Sequence, residues 1–419
     1  MLSVDEARAI ILSAVSRGER ELVAVTAAAG RVLAEPIRST IDHPPFHNSA
    51  MDGYAVRWDE VHRATPDSPI ALPVTLDVPA GEAPATLPPG GAARIMTGAP
   101  LPEGADTVIV REDTDESRPG QVLIQGLPDK GRGAHIRWRG ENVAAGDLIL
   151  DAGAPLRGGE VGLLAMNGRV MVPVSRRPRV AIVSTGDELV DLGEQPGPGQ
   201  IVNSSGPMLA ALVAEAGGDP WLLPIARDTL EATRARFQEA LGGADLVVSM
   251  GGVSVGDHDV VKVVLGELCD GLEFWKIRMK PGKPLAFGRS RQGGTPLVGL
   301  PGNPVSSWVS FLQFVRPAIR KALGLARLEL PTVQARLTCA IRSPGSRLEF
   351  QRGRLEPAEP GSGAPFSFTP IAGQGSGNLM SLVQVDGLAR IPTGCSSLGA
   401  GEVVTVEVVG ALHGAPVRV

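Results

Sequence analysis

Apolar positions along the chain follow three successive patterns. Near the start, Ala7, Ile10, Ile11, Ala14 and Val15 recur on one helical face, and Ser3 with Glu6 has capping-box spacing, so a helix is predicted there. From about residue 37 to 172 the pattern becomes short β-type runs broken by Gly and Pro, as at 72–78, 107–110 and 122–124. This reads as one β-rich region with a smaller β subdomain inserted at about 50–140. From Arg179 onward strands and helices alternate. Strands are predicted at 180–184, 221–225, 246–250, 274–279 and 296–300, and helices at 207–216, 229–241, 260–268 and 305–323. Asp228 is placed to cap the 229–241 helix, with Glu231 at capping-box spacing. Such alternation argues for a parallel, doubly wound sheet. After a linker at 325–331, β-type runs at 333–341, 348–350, 366–369, 388–391 and 403–409 predict a small barrel. The predicted fold class is multidomain α/β. A central doubly wound α/β domain (173–326) is flanked by a β-rich N-terminal region (1–172) and a C-terminal β-barrel (327–419).

Composition narrows the chemistry. Gly (53) and Pro (36) make up about a fifth of 419 residues, short of a disordered composition and consistent with a turn-rich folded chain. Aromatic content is 4% with Tyr54 the sole tyrosine, and the formal net charge is −5, so neither base-stacking platforms nor a general basic stripe for nucleic acid is present. Any anion site must be a local cluster. Cys269, Cys339 and Cys395 are far apart and form no CxxC pair or disulfide framework, which fits a reduced, cytoplasmic setting. The start MLSVDEARAI does not read as a signal peptide, and no apolar run of ~18 residues suggests a membrane span.

Open parallel sheets bind ligands beyond the carboxyl ends of their strands. Three unusual segments fall there: Thr185-Gly186-Asp187-Glu188, the run from Gly251 to Asp259, and the run from Pro301 to Ser307. Each alone is equally a plain strand-to-helix turn, but three on one edge favour a crevice. Glycine turns let backbone N–H groups approach an anion, and helix N-termini add favourable dipoles. Asp187, Glu188, Asp257 and Asp259 are carboxylates beside that anion site, and Mg²⁺ is the cation expected to bridge such like-signed groups. Each acid has the alternative reading of a solvated turn residue, and Asp228 that of a cap. A Walker lysine is absent, so P-loop chemistry is not indicated.

In FWKIRMKPGKP, strand alternation sends Trp275, Ile277 and Met279 one way and Lys276, Arg278 and Lys280 the other, and a Pro-Gly turn then presents Lys283. The cluster reads as a basic floor for an oxyanion or pyrophosphate, or alternatively as an edge strand protected by charge. The turns around Asp52 and Thr97 read structurally or functionally, as do the β-loops around Arg352 and Ser376. His43 and His47 are at helical spacing, but Pro44 and Pro45 argue against a helix.

Taken together, NSAMDGYAV, RIMTGAPLPEGAD, RGENVAAGD, STGDEL, MGGVSVGDHD, MKPGKPLAFG, LPGNPVSS and FQRG resemble, in order and over nearly the whole chain, the MoeA family of molybdopterin molybdenumtransferases, which includes the E domain of gephyrin. The resemblance implies an elongated homodimer whose active cleft draws on more than one domain. It implies molybdate and adenylylated molybdopterin as substrates, AMP and molybdenum cofactor as products, and hand-over of substrate from a molybdopterin adenylyltransferase. Carried over by motif, Asp52, Thr97, Glu188, Asp228 and Asp259 form the functional acidic and polar set, with Glu188 and Asp259 as Mg²⁺ ligands. Lys276, Lys280 and Lys283 supply cations. Ser184, Thr185, Gly186, Gly251, Gly252, Ser254, Pro301, Gly302, Asn303, Ser306, Arg352 and Ser376 contact substrate or molybdate, with Ser381 a further candidate. One departure stands out: Asn142 occupies a position where the family commonly has Asp. Two other functions are compatible with the pattern, a scaffold of the gephyrin E type and an adenylyltransferase-like or nucleotide-pyrophosphatase enzyme. The first is disfavoured by the lack of an attached second enzyme domain, the second by the extra N- and C-terminal motifs.

Overall fold

A computed structural model describes residues 1–83, 85–252, 260–359, 361 and 363–410, with the main chain alone at Phe274 and Trp275. Two compact units result: Met1–Ala34 with Gly153–Val161 and Met171–Val419, and Glu35–Ala152 with Gly162–Val170.

The first unit opens with α1 (Val4–Ser13). Its capping box forms as predicted: the Ser3 side chain accepts from the Glu6 amide, and the Glu6 carboxylate accepts from the Ser3 amide at 2.7 Å. The helix buries Val4, Ala7 and Ile11, and also Arg8, which the apolar pattern could not foresee. The Arg8 guanidinium is neutralised by Asp5 one turn back (3.2 Å) and by the distant Glu329 (2.8 Å), and it also donates to Gln313 Oε1 (2.7 Å).

The middle of the unit is a six-stranded sheet. Its strands are β1 (Arg179–Ser184), β2 (Asp219–Leu222), β3 (Leu246–Met250), β4 (Cys269–Lys276), β5 (Pro284–Ser290) and β6 (Pro296–Leu300), in spatial order β2-β1-β3-β6-β5-β4. The four strands β2, β1, β3 and β6 run parallel, whereas β5 and β4 are antiparallel additions at one edge. The sequence pattern placed a strand at 274–279 and none at 284–290. Residues 277–283 are too few for the helical crossover that a parallel neighbour needs, so the chain turns straight back.

Both faces of the sheet are covered, and β1 shows why its apolar run is continuous. Val180 and Ile182 pack with α1 and with the helical run beginning at Pro304. Ala181 and Val183 pack with Phe237, Val264 and Leu265 from the helices Leu230–Gly243 and Val260–Leu268. The helix predicted at 305–323 is interrupted: Pro304–Ser310 and Arg316–Ala322 flank a π-helical turn at Phe311–Val315. Gln313 lies in that turn, and its amide donates to the buried Glu407 at 2.5 Å. Burial pushes the Glu407 carboxyl above its ordinary range.

The C-terminal strands are β7 (Thr332–Leu337), β8 (Leu348–Pro357), β9 (Phe366–Pro370), β10 (Gly387–Ile391) and β11 (Val403–Val408). They close as β8-β9-β7-β11-β10 and back to β8, a five-stranded barrel. The barrel is filled by Leu337, Leu355, Phe368, Ile391 and Val406. Phe350 and Leu388 instead join the core under the α/β sheet.

The second unit is built on another six-stranded sheet, in which Gly53–Val56 lies between Thr107–Val110 and Ala92–Ile95. Gly53 is forced by close packing: a Cβ there would fall 2.0 Å from the Ile109 carbonyl oxygen.

Candidate functional site

The carboxyl edge of the parallel strands holds a cavity of about 670 Å³. Ser184, Thr185, Met250, Gly251, Gly252, Pro301, Gly302 and Asn303 line it from three successive strand ends, and Glu188 is the one carboxylate among the described lining residues. Backbone geometry explains these residue types. The Thr185 hydroxyl donates to the Met250 carbonyl at 3.2 Å, tying the ends of β1 and β3 together. Gly251 then turns at φ +83°, where a Cβ would meet the Thr185 carbonyl oxygen at 2.7 Å. At Gly186 (φ +149°) the Glu188 carboxylate folds back over the glycine and takes the space a Cβ would need.

Part of the wall was absent from the sequence reading. Asn203, Ser204 and Ser205 line the cavity at the start of the helix Ser205–Glu215. The Asn203 side chain accepts from the Gly206 amide (3.0 Å) and donates to Ser184 Oγ (3.0 Å), so it clips the helix start to the end of β1. The signal was present: Asn-Ser-Ser-Gly directly before an apolar helical run is a helix-start pattern. The barrel contributes Gly377 and Leu379. Ser376 is drawn to the same place, receiving a hydrogen bond from Asn303 Nδ2 at 3.2 Å while its carbonyl accepts from the Val305 amide at 3.1 Å. Ser306 is buried beside them.

Asp228 is not a cap. Thr229 caps the helix Leu230–Gly243 by accepting from the Ala232 amide, because Thr229, not Asp228, directly precedes the first helical residue. Asp228 stays exposed, and its amide donates to Asp187 Oδ1 at 3.2 Å. Ser254, Asp257 and Asp259 lie outside the described residues, as does the side chain of Trp275.

The cationic segment does not form one continuous strand. Lys276 ends β4, opposite Pro284, a cavity-lining residue. Met279–Lys280 leaves that sheet and pairs in parallel with β8 of the barrel. The chain changes sheets because Ile277 and Met279 are fully buried and Gly282 packs onto the helix Pro304–Ser310, with no room for a Cβ against Met279 or Ser310. Lys276 and Lys280 therefore do not share one strand face. Lys280 Nζ is 2.9 Å from the Glu349 carboxylate, whose side chain is 5% exposed, whereas Lys276 and Lys283 make no ion pair among the described residues. Arg352, expected at an anion, is 1% exposed and spends its guanidinium on Ser381 Oγ, Gln374 Oε1 (3.3 Å) and the Gly375 carbonyl (3.3 Å). Burial pulls its pKa down to about 10.

In the second unit the two N-terminal motifs meet. Asp52 Oδ1 accepts from the Thr97 amide and from its hydroxyl, both at 2.7 Å. The Thr97 amide, then its hydroxyl, and more weakly Arg111 hold the Asp52 carboxyl below its ordinary range. Asn142 is exposed, and its amide donates to the His43 carbonyl at 3.0 Å, so its backbone serves a turn. The described residues contain no group of three His, Cys, Asp or Glu that could hold a metal, and no helix long and apolar enough to cross a membrane.

Comparison with known proteins matches three regions in order: MoeA N-terminal region (domain I and II) over residues 2–168, "Probable molybdopterin binding domain" over 181–321, and MoeA C-terminal region (domain IV) over 334–409. A Nostoc protein named molybdopterin molybdenumtransferase is 41% identical across 93% of this chain and 89% of its own. Molybdopterin molybdenumtransferase 2 of Mycobacterium tuberculosis is 39% identical across 96% of this chain and 98% of its own. The crystal structure of a molybdopterin biosynthesis MoeA protein from Pyrococcus horikoshii superposes with a TM-score of 0.83 at 34% identity, covering 97% of this chain and 99% of that one. With identity above 30% along nearly the full length of both chains, and three family regions matched in order, the chain belongs to the MoeA family.

Proposed function

We propose that the chain is a molybdopterin molybdenumtransferase, inserting molybdate into adenylylated molybdopterin and releasing AMP. The observation that carries this is the 670 Å³ cavity at the carboxyl edge, lined among the described residues by glycines, hydroxyls and one carboxylate, and reached by the segment from Lys276 to Pro284, in which Lys276 and Lys283 have no ion pair among the described residues. A nucleotide-sized, polyanionic substrate suits such a wall. Glycines permit close approach of main-chain N–H groups, and hydroxyls of Ser204 and Ser205 donate without adding charge. Asn203 holds Ser184 and the helix start in place, so the donors need no rearrangement when the anion arrives. Lys276 and Lys283 offset charge on phosphate or molybdate. Asp52, fixed by Thr97 and ionised at neutral pH, belongs to the acidic set, together with Asp228.

Mg²⁺ is commonly held by one or two carboxylates together with substrate phosphates, not by an all-protein cage. Glu188, the described carboxylate on the cavity wall, fits that pattern, and Asp259 is the second ligand on the resemblance. When bound, the ion would neutralise phosphate charge. Ser306 and Ser376 complete the proposed oxyanion contacts. Arg352 supports them by holding the 374–381 loop and does not face the cavity. We also propose a homodimer in the cytoplasm that receives its substrate from a molybdopterin adenylyltransferase.

The test is product analysis with purified protein, adenylylated molybdopterin and molybdate. Molybdate-dependent AMP release with molybdenum appearing in the pterin supports the reading. ATP consumption, or AMP release that ignores molybdate, overturns it. Glu188→Gln should lower AMP release by about tenfold or more, as for loss of a charged contact at a reacting phosphate, with unfolding unchanged.

A further inference from the structure

We infer that Glu349, a buried carboxylate in the barrel, is a positioning residue for the anion site, acting through Lys280. The inference rests on the molybdate-inserting function proposed above. Glu349 sits in β8 with 4% exposure. A carboxylate this deep is costly unless every oxygen is engaged. Here Oε2 accepts from the Ser343 hydroxyl at 2.7 Å, while Oε1 accepts from Gln351 Nε2 at 3.3 Å and lies 2.9 Å from Lys280 Nζ. Two neutral donors and one ammonium thus hold the carboxylate, and the carboxylate in turn fixes the ammonium.

The consequence lies on the lysine. An ammonium has three N–H donors. One is spent on Glu349, and the others have no protein acceptor among the described residues. Lys280 begins the turn that ends at Pro284 on the cavity wall, and its side chain is 40% exposed. A free lysine on that turn would sample many rotamers and lose their entropy on binding an anion. Glu349 removes that freedom in advance, so the remaining donors are oriented before the anion arrives. It also lowers the local positive charge, leaving Lys276, Arg278 and Lys283 as the cations of the segment without an ion pair among the described residues.

The experiment uses the full-length protein, with molybdate as the varied substrate in the AMP-release assay. Glu349→Gln keeps an acceptor for Lys280 but halves its strength, and should raise the half-saturating molybdate concentration roughly tenfold. The rate at saturating molybdate and the KM for the adenylylated substrate should stay within about twofold, since neither the fold nor the phosphate wall is touched. Glu349→Asp, which restores the charge, should recover most of the molybdate dependence. In a Lys280→Ala background Glu349→Gln should add little, because the two act as one unit. If Glu349→Gln is folded and its molybdate dependence is normal, or both KM values rise alike, the inference is overturned. Should Glu349→Gln fail to fold, Ser343→Ala, which removes one donor to the carboxylate, decides: a selective rise for molybdate supports the inference, and none overturns it. Wild-type protein that needs no molybdate overturns the proposed function, and the inference with it. A wild-type requirement left unchanged by the variants overturns the inference alone.

Discussion

The segment from Lys276 to Lys283 and the segment from Glu349 to Arg352 both concentrate charge, yet the fold uses them in opposite ways. In the first, Lys276 and Lys283 remain without ion pairs among the described residues, beside a turn that ends on the cavity. In the second, Glu349 and Arg352 are buried in the barrel and nearly every polar atom is engaged. Lys280 belongs to both, since it sits on the first segment and pairs with the second. Clustered charge along a sequence therefore does not say which charges are spent on architecture and which are left for a ligand.

The comparison can be broken most sharply at Arg352. Arg352→Ala removes a fully buried guanidinium and strands the groups it held, so unfolding should become easier by about 3 kcal/mol. Urea denaturation measures this. A loss under about 1 kcal/mol would mean that the 374–381 loop has other support. Lys280→Ala comes next. A surface-type lysine would cost less than about 0.5 kcal/mol, but leaving Glu349 buried without its cation should cost roughly 1–3 kcal/mol, discounted for the lysine's exposure. Stability equal to wild type would show that Ser343 and Gln351 suffice. Lys283→Ala, with no ion partner to strand, should be nearly silent in unfolding and visible as a several-fold higher molybdate requirement, partly rescued by excess molybdate.

The smallest effect expected is at Asp52, in the other unit. Its folded pKa is depressed, so the stability from its Thr97 bonds is present at neutral pH. That stability is lost as pH falls through the folded value, below about pH 4. The Thr97 amide resonance should report a titration midpoint under about 3.9, the ordinary aspartate value. Asp52→Asn should remove that inflection. A midpoint at or above the ordinary value would detach Asp52 from Thr97.

Several parts of this molecule were readable from residue order. The capping box of α1, the alternation that builds a doubly wound sheet and the five β-runs of the barrel depend on neighbours a few residues apart, and all formed. So did the expectation that the chain just after β1, β3 and β6 shares an edge, seen after β3 in Gly251 and Gly252, because strands running parallel have their carboxyl ends on the same side of the sheet. Other features were not readable. The cap fell on Thr229 in place of Asp228, since both residues have capping side chains and only backbone geometry chooses. The basic strand was split between two sheets, because burial of Ile277 and Met279 and the packing of Gly282 outweighed strand continuity.

By itself, the sequence determined most of the elements, their order and the family, and it offered a set of candidate residues for an anion. These rest on local periodicity, turn chemistry and motifs read along the chain. Tertiary structure decided which of those residues are free. Glu349 lies far along the chain from Lys280, and Gln313 and Glu329 lie farther still from Arg8. Charge neutralisation acts over a few ångströms in space whatever the separation in sequence, so only the packed fold could assign Lys280 to Glu349 and leave Lys276 and Lys283 without an ion pair among the described residues.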